Sequence, residues 1–163
     1  MDTLRKLQFI LCLCVALVSS CKPSYPPPPG FVEACYGGDV SKTLDGATPR
    51  FRMQLPASPD QWSDIARRFQ DFGASHELKY FDTSVSDIDG LKMINVHLCS
   101  AKGIWLSADK RLWSGRSEPS PNVVPIDLYQ YDTEMDWVLI AAELEKSFQD
   151  WPGGFQSQRP GSR

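Results

Sequence analysis

The sequence predicts an α+β fold in which two helices cover one face of an antiparallel sheet of about four to five strands. Several segments between residues 51 and 131 alternate apolar and polar residues with a period of two, as half-buried strands do. Two segments, residues 59–73 and 133–151, repeat apolar residues at helical spacing. The links between the middle strands are short, which favours antiparallel neighbours.

The first strand and helix follow each other closely. Residues 51–55 alternate, and Pro56 ends the strand. Residues 58–61 have the features of a helix start, with a Ser cap, Pro at the first position, an acid in the first turn and Gln three residues after the cap. The buried stripe of this helix would consist of Trp62, Ile65, Ala66, Phe69 and Phe72.

The middle of the chain contains the remaining strands. Residues 78–84, 91–99, 104–107 and 123–131 have strand patterns, and residues 114–122 have the composition of a surface loop. A final helix would begin with Asp132 or Thr133 as its cap and would end at the Pro-Gly-Gly of residues 152–154. Its buried stripe would consist of Trp137, Ile140, Ala141, Leu144, Phe148 and Trp151. This element order has a topological likeness to ferredoxin-like folds, which implies no function.

Four regions divide the chain. Residues 1–20 read as a signal peptide, because two basic residues precede an apolar run at 7–18 that is short for a membrane span. Residues 21–30 contain five prolines and predict an extended tether. Residues 31–154 would form the single α+β domain, and residues 155–163 a disordered tail.

The end of the signal peptide points to a lipid anchor. Val18-Ser19-Ser20-Cys21 resembles the lipobox of bacterial lipoproteins. The resemblance implies that Cys21 receives a diacylglycerol, that the signal is cut before it, and that the new amine is acylated, which would anchor the protein to a membrane. Lys22, where Asp favours inner-membrane retention in that family, implies the outer membrane facing the periplasm. An ordinary secretory signal is the alternative.

The cysteine count then becomes simple. Cys12 and Cys14 leave with the signal and Cys21 is acylated, so Cys35 and Cys99 remain in an exported, oxidising compartment. A disulfide between them is the expectation. The alternative is a reactive Cys99 beside His97, since residues two apart on a strand share a face.

Charge and motifs exclude several function classes. The formal net charge is -3 with no basic block, which argues against nucleic acid as the main partner. The Asp-x-Asp-Gly of residues 87–90 ends an EF-hand-like pattern, but Val96 would occupy the position that requires a bidentate acid. A looser ion site from Asp82, Asp87 and Asp89 stays open, and neither His76 nor His97 has zinc-site spacing.

Enzyme motifs are equally sparse, and no cofactor is expected. Residues 107–110 match Ser-x-x-Lys of penicillin-recognising enzymes, but the partner motifs of that class do not occur. The chain has no Gly-x-Ser-x-Gly elbow, phosphate-binding loop or dinucleotide fingerprint. A small periplasmic hydrolase built from scattered residues remains an alternative function.

Aromatic residues supply the remaining signal. Tyr129 and Tyr131 should point away from the helix-covered face, and with Trp105 and Trp113 they would form a partner-binding patch. The alternative is that these rings pack under a second layer. The sequence is therefore interpreted as a periplasmic binding module for a protein partner, similar in type to immunity proteins that neutralise toxins. An envelope structural or assembly lipoprotein is the alternative.

Overall fold

The computed structural model describes Cys35 and residues 47–82, 90–100, 102–131 and 136–159. Among these residues, no helix is both long enough and apolar enough to cross a membrane. The elements in chain order are β1 Phe51–Pro56, α1 Trp62–Ser75, β2 Lys79–Asp82, β3 Leu91–Ser100, β4 Ile104–Trp113, β5 Val123–Gln130, α2 Trp137–Ser147 and β6 Gln156–Gln158.

The strands form one sheet in the order β2-β3-β4-β5-β1-β6, and every neighbouring pair is antiparallel. The predicted α+β class is confirmed, but the described part of the chain has six strands rather than four or five. Strands β2 to β5 form a meander of consecutive neighbours. Strand β1 lies between β5 and β6, so α2 connects two strands that are separated by a third.

Strand β6 corrects the predicted tail, because residues 156–158 pair with β1. Gly153 and Gly154 have φ angles of 82° and 68°, which glycine adopts easily, and they reverse the chain after α2. Arg159 then forms an ion pair of 2.7 Å with Glu145 on α2. The composition of the segment did not indicate a strand, since the partner that stabilises it lies about a hundred residues earlier.

Both helices pack on the same face of the sheet, as predicted. The apolar residues of the helices meet alternate residues of four strands, and all of these strand side chains are buried. The strand contribution to this core consists of Phe51, Met53, Leu55, Ile94, Val96, Leu98, Ile104, Leu106, Ala108, Val124, Ile126 and Leu128.

Local hydrogen bonds explain where the helices begin. The Ser58 amide donates to Gln61 Oε1 (3.0 Å), and a short 3-10 turn at Pro59–Gln61 leads into α1. The second helix begins later than predicted: Asp136 is its N-cap, and its carboxylate accepts a hydrogen bond from the Val138 amide (2.9 Å).

Strand β4 is also longer than the four residues predicted. It continues to Trp113 because β3 pairs with it along its full length, from Ser100 opposite Ile104 to Leu91 opposite Trp113. The pattern of the sequence located β3 correctly. The length of β4, however, follows from the register between β3 and β4, which the sequence does not show.

Candidate functional site on the open face of the sheet

The face of the sheet opposite α1 and α2 is called the open face here. Alternation along the strands places the remaining side chains on it, because residues at i and i+2 share a face. Two cross-strand rows run over its centre. One row joins Cys99, Trp105 and Tyr129, and the other joins His97, Ser107 and Asp127.

A disulfide lies at one end of the open face. Cys35 and Cys99 are bonded, with their Cα atoms 5.7 Å apart, so the predicted bridge is confirmed. Cys35, Cys99 and Trp105 form a buried cluster, and Phe81, Tyr129 and Tyr131 pack against it. A disulfide-bonded sulfur is not a nucleophile, which removes the alternative of a reactive Cys99 from this form of the protein.

The structure brings three of the four predicted partner-binding residues together. Tyr129 and Tyr131 are half-buried and contact the cluster around Trp105, which is 1% exposed. Trp113 is 42% exposed at the other end of β4, eight residues or about 27 Å away along the strand. The guanidinium of Arg116 lies 5.4 Å from the centre of the Trp113 ring. Trp113 is thus separate from the aromatic cluster.

His97 extends the cluster towards the polar row. Its ring lies 4.7 Å from the Trp105 ring, measured between centroids. Neither His97 Nδ1 nor Trp105 Nε1, both of them buried atoms, has a hydrogen-bond partner in the described part of the chain. Burial lowers the pKa of His97 to about 4, and the nearby carboxylate of Asp82 opposes this shift. The ring is therefore neutral at pH 7.

The polar row continues onto β1 through a bidentate ion pair. Arg52 Nε and Nη2 donate to the two carboxylate oxygens of Asp127 over 2.6 Å and 2.7 Å. This hydrogen bonding to Asp127 raises the pKa of Arg52. The Asp127 side chain is only 14% exposed, so the pair is partly shielded from solvent. No pattern in the sequence indicates this pair, because the two residues become neighbours only through the pairing of β1 with β5.

The row contains Ser, His and Asp but does not form a serine-nucleophile triad. In such a triad the histidine lies between the serine and the acid. Here Ser107 lies between His97 and Asp127, and both oxygens of Asp127 accept hydrogen bonds from Arg52. The arrangement orients an arginine and not an imidazole.

Asp82 and His76, the other candidate residues in the described part of the chain, do not belong to the two rows of the open face. Asp82 is exposed at the end of β2 and accepts a hydrogen bond from Tyr80 (3.2 Å), whereas Asp87 and Asp89 lie outside the described residues, as does Cys21. His76 stacks on Phe72 at the end of α1, in the helix layer. Within the described ranges, no group of three or more His, Cys, Asp or Glu side chains is arranged to hold a metal ion.

A groove that no sequence pattern indicated lies between the C-terminal halves of α1 and α2. It is an open groove of about 710 Å³. Arg68 lines this groove and donates hydrogen bonds to Asp150 and to the Ser147 carbonyl. Its guanidinium lies over the rings of Phe148 and Trp151, at 5.5 Å and 5.4 Å from their centres. Through these contacts, Arg68 of α1 joins that helix to the end of α2 and to the segment that follows it.

Comparisons with known proteins do not assign this site. No protein-family model, curated protein or solved structure matches the chain.

Proposed function

We propose that this protein is a lipid-anchored protein of the bacterial cell envelope, held at the outer membrane by acylated Cys21, whose α+β domain binds a protein partner through the open face. The observation that carries the proposal is the aromatic cluster on that face. Tyr129 and Tyr131 are half-buried beside the disulfide, and both helices pack on the other side of the sheet. Tyrosine rings are enriched in protein interfaces.

The buried residues of the cluster have a supporting role in this proposal. Trp105 and the Cys35–Cys99 bridge form the buried cluster against which the two tyrosine rings pack. A rigid base lowers the entropy lost when an interface forms. The exposed Trp113 would contact the partner at the far end of the same face.

An immunity-type inhibitor of a toxin is the class of binding protein that we favour. The mildly acidic net charge of -3 suits a basic partner. A toxin encoded by a neighbouring gene is the partner to test first, and the survival of toxin-exposed cells with and without this protein measures the activity. Equal survival of both strains would contradict the immunity function.

The binding face is tested by the double variant Tyr129→Ala and Tyr131→Ala. We expect it to lose most of its affinity for the purified partner, since central interface tyrosines commonly contribute about 2 kcal/mol or more each. The matched control is Tyr80→Ala, which removes a half-buried tyrosine from the opposite face. Full binding by the double variant would contradict the assignment of the open face.

The anchor is tested separately by labelling cells with a radioactive fatty acid. The protein should take up label, and Cys21→Ser should abolish it, because no thiol remains at the lipobox position. Label retained by Cys21→Ser would contradict the lipid anchor without affecting the open-face assignment.

A further inference from the structure

Strand β6 lies at an edge of the sheet. Its inner side pairs with β1, where Gln156 lies opposite Gln54 and Gln158 opposite Arg52. Its outer side has no neighbouring strand in the described part of the chain, and all three of its residues are exposed. The amide and carbonyl groups along such an edge are a template for a further extended strand.

The side chains of β6 do not protect this edge. Natural sheets commonly protect their edge strands with charged residues, especially Lys, or with Pro. Strand β2 at the opposite edge follows this rule, because Lys79 and Asp82 are exposed at its two ends. Strand β6 consists only of Gln156, Ser157 and Gln158 and has neither kind of residue. Its outer side is therefore open to pairing, although its short length limits the strength of the association.

The sequence of β6 favours a second copy of the same strand as the partner. Gln-Ser-Gln reads the same in both directions. An antiparallel pair with a two-fold axis at Ser157 therefore aligns the whole strand, with Ser157 facing Ser157 of the second copy and Gln156 facing Gln158. Glutamine side chains both donate and accept hydrogen bonds, so the facing amides are complementary. The next charged residue, Arg159, would lie about 14 Å from its counterpart, beyond the Debye length at physiological salt.

The geometry of this pairing also matches the two faces of the sheet. A two-fold axis that makes two edge strands antiparallel neighbours is perpendicular to the sheet, so both open faces lie on the same side. Gln158 lies opposite Arg52, which belongs to the polar row of the open face. The row would continue across the axis through Gln156 and Gln54 of the second copy, and every facing pair would be uncharged where the copies meet.

We propose that β6 is a self-association site, at which two copies of the chain pair antiparallel and join their sheets into one continuous sheet. The dimer would present two clusters of Tyr129 and Tyr131 on one side, which suits a bivalent partner. The pairing rests on the edge of β6 and does not depend on the function proposed for the open face. A contact between three-residue strands is small against the roughly 1,200 Å² of stable interfaces, so we expect a weak, concentration-dependent dimer.

Cysteine cross-linking of the full-length protein in cell membranes tests the pairing. Ser157→Cys places a thiol beside the proposed axis, where facing Cα atoms of an antiparallel pair lie about 4.5–5.5 Å apart, a distance that a disulfide spans. Diamide oxidises the two thiols to a disulfide and takes up both hydrogens. The matched control is Ser63→Cys, which places a thiol at an exposed serine of α1. Dimers are measured on non-reducing gels.

We expect Ser157→Cys to give more dimer than Ser63→Cys, and the yield to fall when the extracted protein is diluted in detergent. Adding Gln156→Lys and Gln158→Lys to Ser157→Cys should weaken association about tenfold, because each Lys would face a Lys of the second copy. The matching variant with Gln156→Glu and Gln158→Glu should behave alike. An equimolar mixture of the two variants should recover the dimer, since each Lys then faces a Glu.

Two results would overturn the proposal. Equal dimer yields from Ser157→Cys and Ser63→Cys would show that the thiols meet only by random collision in the membrane. If the mixture of the Lys and Glu variants did not recover the dimer, the loss in each variant would come from β6 itself and not from a contact between two copies. Circular dichroism of each variant checks that the domain remains folded.

Discussion

The contact between α1 and the sheet predicts an unusual response at Gly73. This residue is buried inside α1, where alanine is the better helix former by about 1 kcal/mol. Helix propensity alone therefore predicts that Gly73→Ala stabilises the protein. A Cβ atom at this position, however, would lie 2.7 Å from Leu98 Cδ2 and 2.9 Å from the carbonyl oxygen of Leu78.

These two contacts decide the sign of the effect. The methyl group of Leu98 can move, but the Leu78 carbonyl belongs to the backbone that enters β2, and the Leu78 amide donates to the Gly73 carbonyl over 2.9 Å. Overpacking a core costs about 1–3 kcal/mol. After the gain of about 1 kcal/mol in helix propensity is subtracted, we expect Gly73→Ala to lower the free energy of unfolding by up to about 2 kcal/mol and the Tm by up to about 8 °C.

Urea unfolding followed by circular dichroism measures the change. The matched control is Ala74→Gly at the next residue, which is exposed, so it should lose about 1 kcal/mol through helix propensity alone. An increase in the unfolding midpoint of Gly73→Ala would refute the close packing of α1 on the start of β2.

Three further predictions concern the disulfide, the buried histidine and the end of α2. Replacing Cys35 and Cys99 together by Ala should lower the free energy of unfolding by about 4 kcal/mol, the chain-entropy value for cysteines 64 residues apart; a loss below about 1 kcal/mol would contradict it. Because the pKa of His97 is about 4 when folded and about 6.5 when unfolded, stability should fall as the pH drops from 6.5 to 4, by up to about 1.4 kcal/mol per unit. The difference between wild type and His97→Asn across this range isolates that effect, and parallel pH profiles would disprove it. Trp151→Phe removes the hydrogen bond from Nε1 to the Pro56 carbonyl (2.7 Å) and should cost about 1–2 kcal/mol in urea unfolding; an unchanged midpoint would show that the bond is unimportant.

The candidate site was predictable only in part. Tyr129 was placed correctly on the face opposite the helices, because alternation along β5 assigns each residue to one side. The burial of Trp105 was not predictable, since Trp105 lies in a cluster with the disulfide between Cys99 and Cys35, which are 64 positions apart in the chain. The Arg52–Asp127 pair likewise depends on the register between β1 and β5.

The surfaces of the helix layer were also predictable from the sequence only in part. The pattern of α2 correctly predicted which residues face the core, but Asp136 replaced the expected cap because its carboxylate, two residues before Val138, reaches that amide. The exposure of Leu139 follows from the position of α2 on the sheet. The groove lined by Arg68 exists because the C-terminal half of α1 lies beside that of α2.

By itself, the sequence predicted the fold class and the buried face of each helix and of most strands, and it favoured a Cys35–Cys99 bridge over a reactive Cys99. These features depend on local periodicity and on counting cysteines. The tertiary structure alone decided the order of the strands, the addition of β6 beside β1, and the rows of side chains across the open face. The physical reason is that strand pairing joins backbone groups far apart in the chain, and a period of two identifies the faces of a strand but not its neighbours.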